Sequence, residues 1–250
     1  MTPCNLSDVA VVLAAHGDRG GDAPDAILRS HANALTATGS YRLVTAGTLR
    51  PAELALEDAL HQARASGASR IAVYPMFMAD GYFTGKVLPA RIAAVGLAQF
   101  CTLLAPLGLD PQLPSLMMSQ ALACAGRAGL QPVHTRLLVV GHGSKLGRAS
   151  LRSTERVACK LRKMRRFAWV ETAYLEEAPF LIAQLRCSDL ATLVLGFFSG
   201  DGMHAAEDVP GAIAEAKADA VYAGSVGREP DIANIIDAAV RAAFVPASAA

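Results

Sequence analysis

Two histidines and a pair of glutamates follow strand-like segments in the second half of the sequence. His142 follows the apolar run Leu-Leu-Val-Val-Gly, and His204 follows Leu-Val-Leu-Gly-Phe-Phe and the turn residues Ser-Gly-Asp-Gly. Glu176 and Glu177 end a third strand-like run. Open α/β sheets bind their ligands at the carboxyl ends of the strands. Two imidazoles and a carboxylate at such an edge predict a site for a divalent transition metal.

The elements that carry these residues occur twice along the chain. Three motifs of the first half recur in the same order in the second half. Ala-His-Gly at 15–17 matches Gly-His-Gly at 141–143, an offset of 126 residues, and Asp-Gly at 80–81 matches Asp-Gly at 201–202, an offset of 121. Gly-Leu-Asp-Pro at 108–111 matches Gly-Arg-Glu-Pro at 227–230, an offset of 119. The period is too long for a solenoid. The sequence therefore predicts a duplicated domain, with halves 1–128 and 129–250 joined near a Gly- and Pro-containing stretch.

Each half alternates apolar runs with amphipathic stretches. The predicted strands are 9–15, 42–48, 70–78 and 100–106 in the first half, and 136–141, 169–175, 191–198 and 219–224 in the second. Alternating strands and helices predict an α/β fold with parallel sheets covered on both faces. We expect two similar domains, each a four-stranded parallel sheet flanked by helices, with an active site in the cleft between them.

Composition narrows the class of protein. Hydrophobic residues make up 52% of 250 residues, and the formal net charge is +1, which gives no reason to expect nucleic acid or a membrane as a partner. Five scattered cysteines without a Cys-x-x-Cys pair, and no signal-like start, favour reduced thiols and a cytoplasmic location. The duplication favours a monomer or a weak homodimer.

The ordered motifs resemble those of the class II chelatases. His-Gly-Ser follows the first strand of the second half, Leu-Glu the second, and Gly-x-His-x3-Asp-x-Pro the third. This family comprises the ATP-independent sirohydrochlorin cobaltochelatases and ferrochelatases of siroheme and cobalamin synthesis, and the duplication matches its two-half form. The resemblance implies a lyase that inserts Co²⁺ or Fe²⁺, with Ni²⁺ possible, into sirohydrochlorin. It implies no cofactor beyond that metal, and no Walker or Gly-x-Gly-x-x-Gly loop is found.

The resemblance also implies roles for individual residues. His142 and His204 match the positions that bind the incoming metal, and Glu176 matches the one that assists removal of the pyrrole protons. The first half departs from this pattern, because Arg50 stands in place of Glu176 and Phe83 in place of His204. We therefore expect a partly degenerate first half that contributes one candidate catalytic residue, His16.

Sirohydrochlorin carries many carboxylates, so its pocket should offer cations, backbone N–H groups and apolar surface. Candidate substrate-binding residues lie in loops after the predicted strands: Ser144, Lys145, Arg148, Gly202 and Met203 in the second half, and Arg19, Arg50, Tyr82, Phe83 and Lys86 in the first. Basic residues four apart at 148, 152, 156 and 160 are interpreted as a solvated helix face.

Two other functions remain open on the sequence alone. A non-catalytic tetrapyrrole or metal carrier could use the same fold if the degenerate first half no longer supports catalysis. A phosphatase could use a His-Gly motif, but Ala15 and Gly141 precede the two histidines where the phosphohistidine pattern has Arg.

Overall fold

Two four-stranded parallel sheets form the core of the protein. The structure is a computed structural model that describes residues 6–17, 25–50, 54–145, 147–188 and 190–245. The first sheet has the strand order β2-β1-β3-β4 and the second β6-β5-β7-β8. The strands are β1 Leu6–Ala15, β2 Tyr41–Thr48, β3 Arg70–Pro75, β4 Cys101–Leu103, β5 Arg136–Gly141, β6 Trp169–Tyr174, β7 Thr192–Gly196 and β8 Ala220–Ser225. The predicted α/β class and both parallel sheets are confirmed.

Helices cover the sheets because the central strands are apolar on both faces. All six residues of β5 are buried, and so are Val9 to Ala14 of β1. The helices are α1 Ala26–Ala37, α2 Leu56–Ala65, α3 Leu88–Ala94, α4 Leu113–Arg127, α5 Ala149–Met164, α6 Leu181–Arg186, α7 Val209–Ala216 and α8 Ile232–Phe244. None of the helices in the described ranges is long and apolar enough to span a bilayer.

The chain divides into two compact units that do not coincide with the halves 1–128 and 129–250. Within the described ranges, the first unit contains 6–17, 25–110 and 230–245, and the second contains 111–229. Helix α4 therefore belongs to the second unit and α8 to the first. The Gly- and Pro-containing stretch near residue 128 marks the end of a helix, and it does not determine the sheet against which that helix packs.

Specific contacts explain this exchange of helices. In the second unit, the Gln120 amide of α4 donates to the carbonyls of Ala223 and Ser225 in β8. In the first unit, the hydroxyl of Tyr41 donates to Asp237 of α8 at 2.6 Å. Apolar side chains on one face of each helix are buried: Leu113, Met117 and Ala121 of α4, and Ile232, Ile236 and Val240 of α8.

The internal repeat is visible in two glycines that hold the loop after the third strand of each sheet. A Cβ on Gly108 would lie 2.0 Å from the Met78 carbonyl oxygen, and one on Gly227 would lie 2.2 Å from that of Ser199. Only glycine permits so close an approach between two backbone segments. Both glycines hold equivalent loops, and in the second unit this loop leads to His204.

Candidate metal centre at the second sheet

His142 stands in the loop that leaves β5. Its Nδ1 lies 2.8 Å from the carbonyl oxygen of Gly143, whose φ of +79° favours glycine. The His142 carbonyl accepts from the backbone N–H groups of Leu175 and Glu176, which follow β6. These bonds join two neighbouring strand ends and orient the imidazole on a rigid edge of the sheet.

His204 is the first residue of a short π-helical turn, 204–208, that continues into α7. Such turns inside helices are frequent at functional sites. The Nδ1 of His204 lies 2.6 Å from Oδ2 of Asp208. Pro210 fits the first turn of α7, where its missing N–H leaves no helical bond unmade. The turn therefore supplies both the imidazole and the carboxylate that orients it.

The two imidazoles meet through their Nε2 atoms. These atoms are 2.9 Å apart, and the rings are nearly perpendicular with centroids 4.3 Å apart. A carbonyl oxygen and a carboxylate only accept hydrogen bonds, so each neutral ring carries its hydrogen on Nδ1. Each Nε2 then presents a lone pair toward the other. Two such lone pairs repel each other unless a cation lies between them.

The separation of the two nitrogens fits a shared metal ion. With metal–nitrogen distances of about 2.0–2.1 Å, ligands at 90° on one ion are about 2.9 Å apart, and tetrahedral ligands about 3.4 Å apart. The observed 2.9 Å would therefore allow both nitrogens to bind one divalent ion as neighbouring ligands. His142 and His204 retain 41% and 38% exposure of their side chains, which leaves room for further ligands.

The neighbouring glutamates have different positions. Oε1 of Glu176 lies 3.9 Å from Nε2 of His142, and its side chain is 46% exposed. Oε1 of Glu177 instead accepts the backbone N–H of Ser144 at 3.0 Å. Glu177 therefore holds the loop after His142, and Glu176 is the carboxylate beside the two imidazoles. Within the ranges that the structure describes, no three His, Cys, Asp or Glu side chains converge as a complete metal cage.

The second-unit candidates for substrate binding border the imidazole pair in the chain. Ser144 and Lys145 follow His142, and Arg148 is the residue before α5; both cations are exposed. Gly202 and Met203 directly precede His204, and Met203 is 42% exposed. All five lie on the two loops that carry the imidazoles. Their roles remain predictions.

The first unit contains a counterpart without the second imidazole. Phe83 begins a π-helical turn, 83–87, as His204 does in the second unit. Its ring meets His16 edge to face, with centroids 4.7 Å apart and planes at 83°. Phe83 also stacks on Phe77. Phe83 and His204 thus begin equivalent turns in the two units, with a phenyl ring in place of an imidazole.

The remaining first-unit candidates surround this aromatic cluster or lie outside the described residues. Tyr82 is 67% exposed beside Phe83, and Lys86 is exposed in the same turn. Arg50 is half-buried near the His16 loop, where a Cβ on Gly17 would lie 3.2 Å from Cβ of Arg50. Arg19 falls outside the described residues.

Asp208 and Glu177 were missed as functional residues by the sequence analysis. The spacing His-x3-Asp contains the signal for Asp208, because residues four apart on a helix face each other. Glu177 has no comparable signal, because its contact with Ser144 joins two separate loops.

The fold and the site together define a two-domain α/β protein with an imidazole pair at one sheet edge. The sequence profile of the CbiX family matches residues 10–123 and 136–243, so the chain belongs to that family. This confirms the resemblance to the class II chelatases in their two-half form.

Individual relatives cover nearly the whole chain. A probable sirohydrochlorin cobaltochelatase from Halobacterium salinarum is 23% identical over 264 residues, covering 91% of this chain and 89% of its own length. The structure of CbiX, described as the terminal enzyme for siroheme biosynthesis in denitrifying bacteria, is 30% identical with a TM-score of 0.78, covering 94% of this chain and 99% of its own. SirB from Bacillus subtilis with Fe³⁺ has a TM-score of 0.80 at 18% identity, covers 95% of this chain and 96% of its own, and supports the fold alone.

Proposed function

We propose that this protein inserts a divalent metal ion, Co²⁺ or Fe²⁺, into sirohydrochlorin without ATP, as a lyase. His142 and His204 hold the incoming ion, and Glu176 accepts pyrrole protons. The observation that carries the proposal is the 2.9 Å separation of two Nε2 atoms whose rings are both fixed through Nδ1. Membership in the CbiX family and the similarity to a probable sirohydrochlorin cobaltochelatase support sirohydrochlorin as the substrate.

A chelatase needs a metal that is bound firmly enough to be positioned and weakly enough to be released. Two neutral imidazoles are borderline ligands that suit Co²⁺ and Fe²⁺, and they leave positions free for water and for the macrocycle nitrogens. The partial exposure of both side chains favours such an open site. The ion passes to the macrocycle as its nitrogens replace water and then imidazole.

Proton balance assigns a role to the nearby carboxylate. Insertion of one M²⁺ ion releases two N–H protons from the macrocycle, so the site needs a group that accepts them and passes them to water. Glu176 is the carboxylate next to His142, and its exposure allows exchange with solvent. Glu177 is less suited to this role, because it accepts a hydrogen bond from the loop.

The remaining candidates fit an anionic, flat substrate. Lys145 and Arg148 offer cations beside the imidazole pair, and Gly202 and Met203 offer backbone and apolar surface. In the first unit, Tyr82 and Phe83 offer aromatic surface, and Arg50 and Lys86 are candidate cations. These assignments extend the proposal to the substrate carboxylates and the macrocycle. His16 is a further candidate, as the imidazole retained in the degenerate half.

The test is anaerobic metal insertion followed by visible absorption of sirohydrochlorin, with Fe²⁺, Co²⁺ and Ni²⁺ in parallel. We expect catalysed insertion by the unmodified protein and its loss in His142→Ala and in His204→Ala. His134→Ala is the matched control, because His134 is an exposed histidine of the same unit. A spectral shift without faster insertion would support a carrier and refute the chelatase. Normal turnover in either variant would refute the assignment of the metal site to His142 and His204.

A further inference from the structure

Nine Lys or Arg residues and one Glu occur among the 22 residues from 145 to 166. The whole chain has a formal net charge of +1, so the remainder of the chain is net negative. This charge lies on α5 and on the residues that directly flank it. Positive charge is therefore concentrated on one helix and its two ends.

The cations of α5 and its N-cap form one stripe. At 3.6 residues per turn, five of them fall within about a third of the helix circumference: Arg148, Arg152, Arg156, Lys160 and Lys163. Four of these are exposed and Lys160 is half-buried. The buried residues of the helix, among them Val157, Ala158 and Leu161, lie on the other side. We call this set the α5 cationic stripe.

The helix dipole explains the cation in the last turn of α5, Lys163, but not the cations that precede it. Successive like charges four residues apart destabilise a helix by about 0.2–0.5 kcal/mol per pair. Arg148 and Arg152 also lie at the positive end of the helix dipole, where the first turn contains no acidic residue. An ordinary solvated face would alternate the two signs of charge.

The one acidic residue of the segment does not neutralise the stripe. Glu155 is hydrogen-bonded by the hydroxyl of Thr172 in β6, and the Tyr174 hydroxyl lies 3.5 Å from it. Arg162, which is not in the stripe, donates to the same carboxylate and to the Val170 carbonyl. These bonds direct Glu155 toward β6.

The stripe begins at the candidate metal centre. Helix α5 follows the His142 loop, and the N–H of Gly143 donates to the hydroxyl of Ser150 in the first turn of α5. From Arg148 the stripe extends about 22 Å along the helix to Lys163. It is therefore continuous with the loop that carries one imidazole of the pair.

We infer that the α5 cationic stripe captures the polycarboxylate tetrapyrrole and steers it to the imidazole pair; this rests on the proposed function. A strip of one sign of charge raises the association rate of an oppositely charged ligand, and the effect decreases steeply with ionic strength. The residues form a solvent-exposed face, as predicted from the sequence, and the inference adds a function to that face. Its far end acts through the field, beyond direct contact with the bound macrocycle.

The experiment measures the association rate constant of metal-free sirohydrochlorin by stopped-flow fluorescence. The test variant is Lys160→Glu/Lys163→Glu, at the far end of the stripe. The control is Arg127→Glu/Lys217→Glu, which changes the net charge equally at exposed positions at the ends of α4 and α7. At about 0.01 M ionic strength, where the Debye length is about 30 Å, we expect at least a roughly 5-fold lower rate constant in the test variant and less than about 2-fold in the control.

At about 0.5 M salt, we expect the two variants and the unmodified protein to agree within about 2-fold. Lys160→Gln/Lys163→Gln should give a smaller decrease in the same direction without adding acidic charge to the last turn. An equal decrease of the association rate constant in the test and control variants, or no decrease in either, would overturn the inference that the stripe steers the substrate. Failure of the unmodified protein to bind sirohydrochlorin would overturn the proposed function as well, before any variant is compared.

Discussion

The carboxylate of Asp208 lies 2.6 Å from Nδ1 of His204, four residues earlier in the same turn. This bond places the hydrogen of the neutral ring on Nδ1 and leaves Nε2 to face His142. A carboxylate that accepts from a metal-ligating imidazole also raises the basicity of the ligand. In the proposed site, Asp208 is therefore a positioning residue for His204.

We predict that Asp208→Asn weakens Co²⁺ binding by about 10- to 100-fold, the usual effect of losing such a partner. The amide can donate to Nδ1 and so favour the wrong tautomer. Glu207→Gln is the matched control, because it removes the same charge from the adjacent exposed position and should bind Co²⁺ normally. Isothermal titration calorimetry measures both affinities. Equal losses in the two variants would show that only the total charge matters.

Glu176→Gln should lower kcat by about 10²–10⁴-fold, with a much smaller effect on metal affinity. Its amide keeps an oxygen near His142 but cannot accept a proton. Glu177→Ala is the comparison, since it removes the acceptor for the Ser144 N–H and should weaken metal binding through the loop. Rates at saturating Co²⁺, with affinities measured separately, distinguish the two effects. A collapse of affinity in Glu176→Gln at unchanged kcat would make Glu176 a ligand only.

Much of the fold follows from local sequence patterns. The alternation of apolar runs with amphipathic stretches predicted all eight strands. The signal is clearest in β1 and β5, because a strand buried on both faces must be apolar along its length. The Gly-x-Asp/Glu-Pro motif also marked the equivalent loops, since Gly108 and Gly227 have no space for a side chain. These features depend on residues that are adjacent in the chain.

The exchange of α4 and α8 could not be predicted in the same way. The amphipathic pattern of α8 shows that Ile232 and Ile236 are buried, but it does not identify the sheet that buries them. The bond between Tyr41 and Asp237 joins residues 196 positions apart. The π-helical turn at His204 could not be predicted either, because the periodicity of apolar residues predicts ordinary α-helices.

Acid should loosen the attachment of α8 to the first unit. Hydrogen bonds from Arg70 and from Ser69 hold the pKa of Asp8 below its usual range. Arg70 also donates to the carbonyl of Phe244 in α8. A depressed folded-state pKa contributes stability above the unfolded value near 4, and this contribution is lost as the pH falls through the folded value.

Asp8→Asn should therefore lower Tm slightly at pH 7 and reduce the loss of Tm between about pH 4 and pH 2. Asp219→Asn is the control, as an exposed aspartate of the second unit. Calorimetric scans at pH 7, pH 4 and pH 2 measure Tm for each variant. Hydrogen exchange in α8 shows whether the change in stability lies in that helix. The same pH dependence in Asp8→Asn as in the unmodified protein would show that the Asp8–Arg70 pair contributes nothing to attachment of the helix.

The degenerate first unit should accept a second metal if its missing ligands are restored. Phe83 takes the place of His204, and the offset of 121 places Val87 where Asp208 stands. An imidazole at position 83 alone would lack the carboxylate that fixes its tautomer. We predict that Phe83→His/Val87→Asp raises Co²⁺ binding from one to two equivalents per chain, with His16 as the second ligand.

The single change Val87→Asp is the control and should leave one equivalent, because it adds a carboxylate without a second imidazole. Phe83→His alone should bind the second ion about 10- to 100-fold more weakly than the double variant. Equilibrium dialysis with Co²⁺ counts the equivalents, and the visible absorption of the bound ion reports its ligands. Two equivalents already bound to the unmodified protein would contradict the asymmetry between the units, since the ring of Phe83 offers no ligand to the ion beside His16.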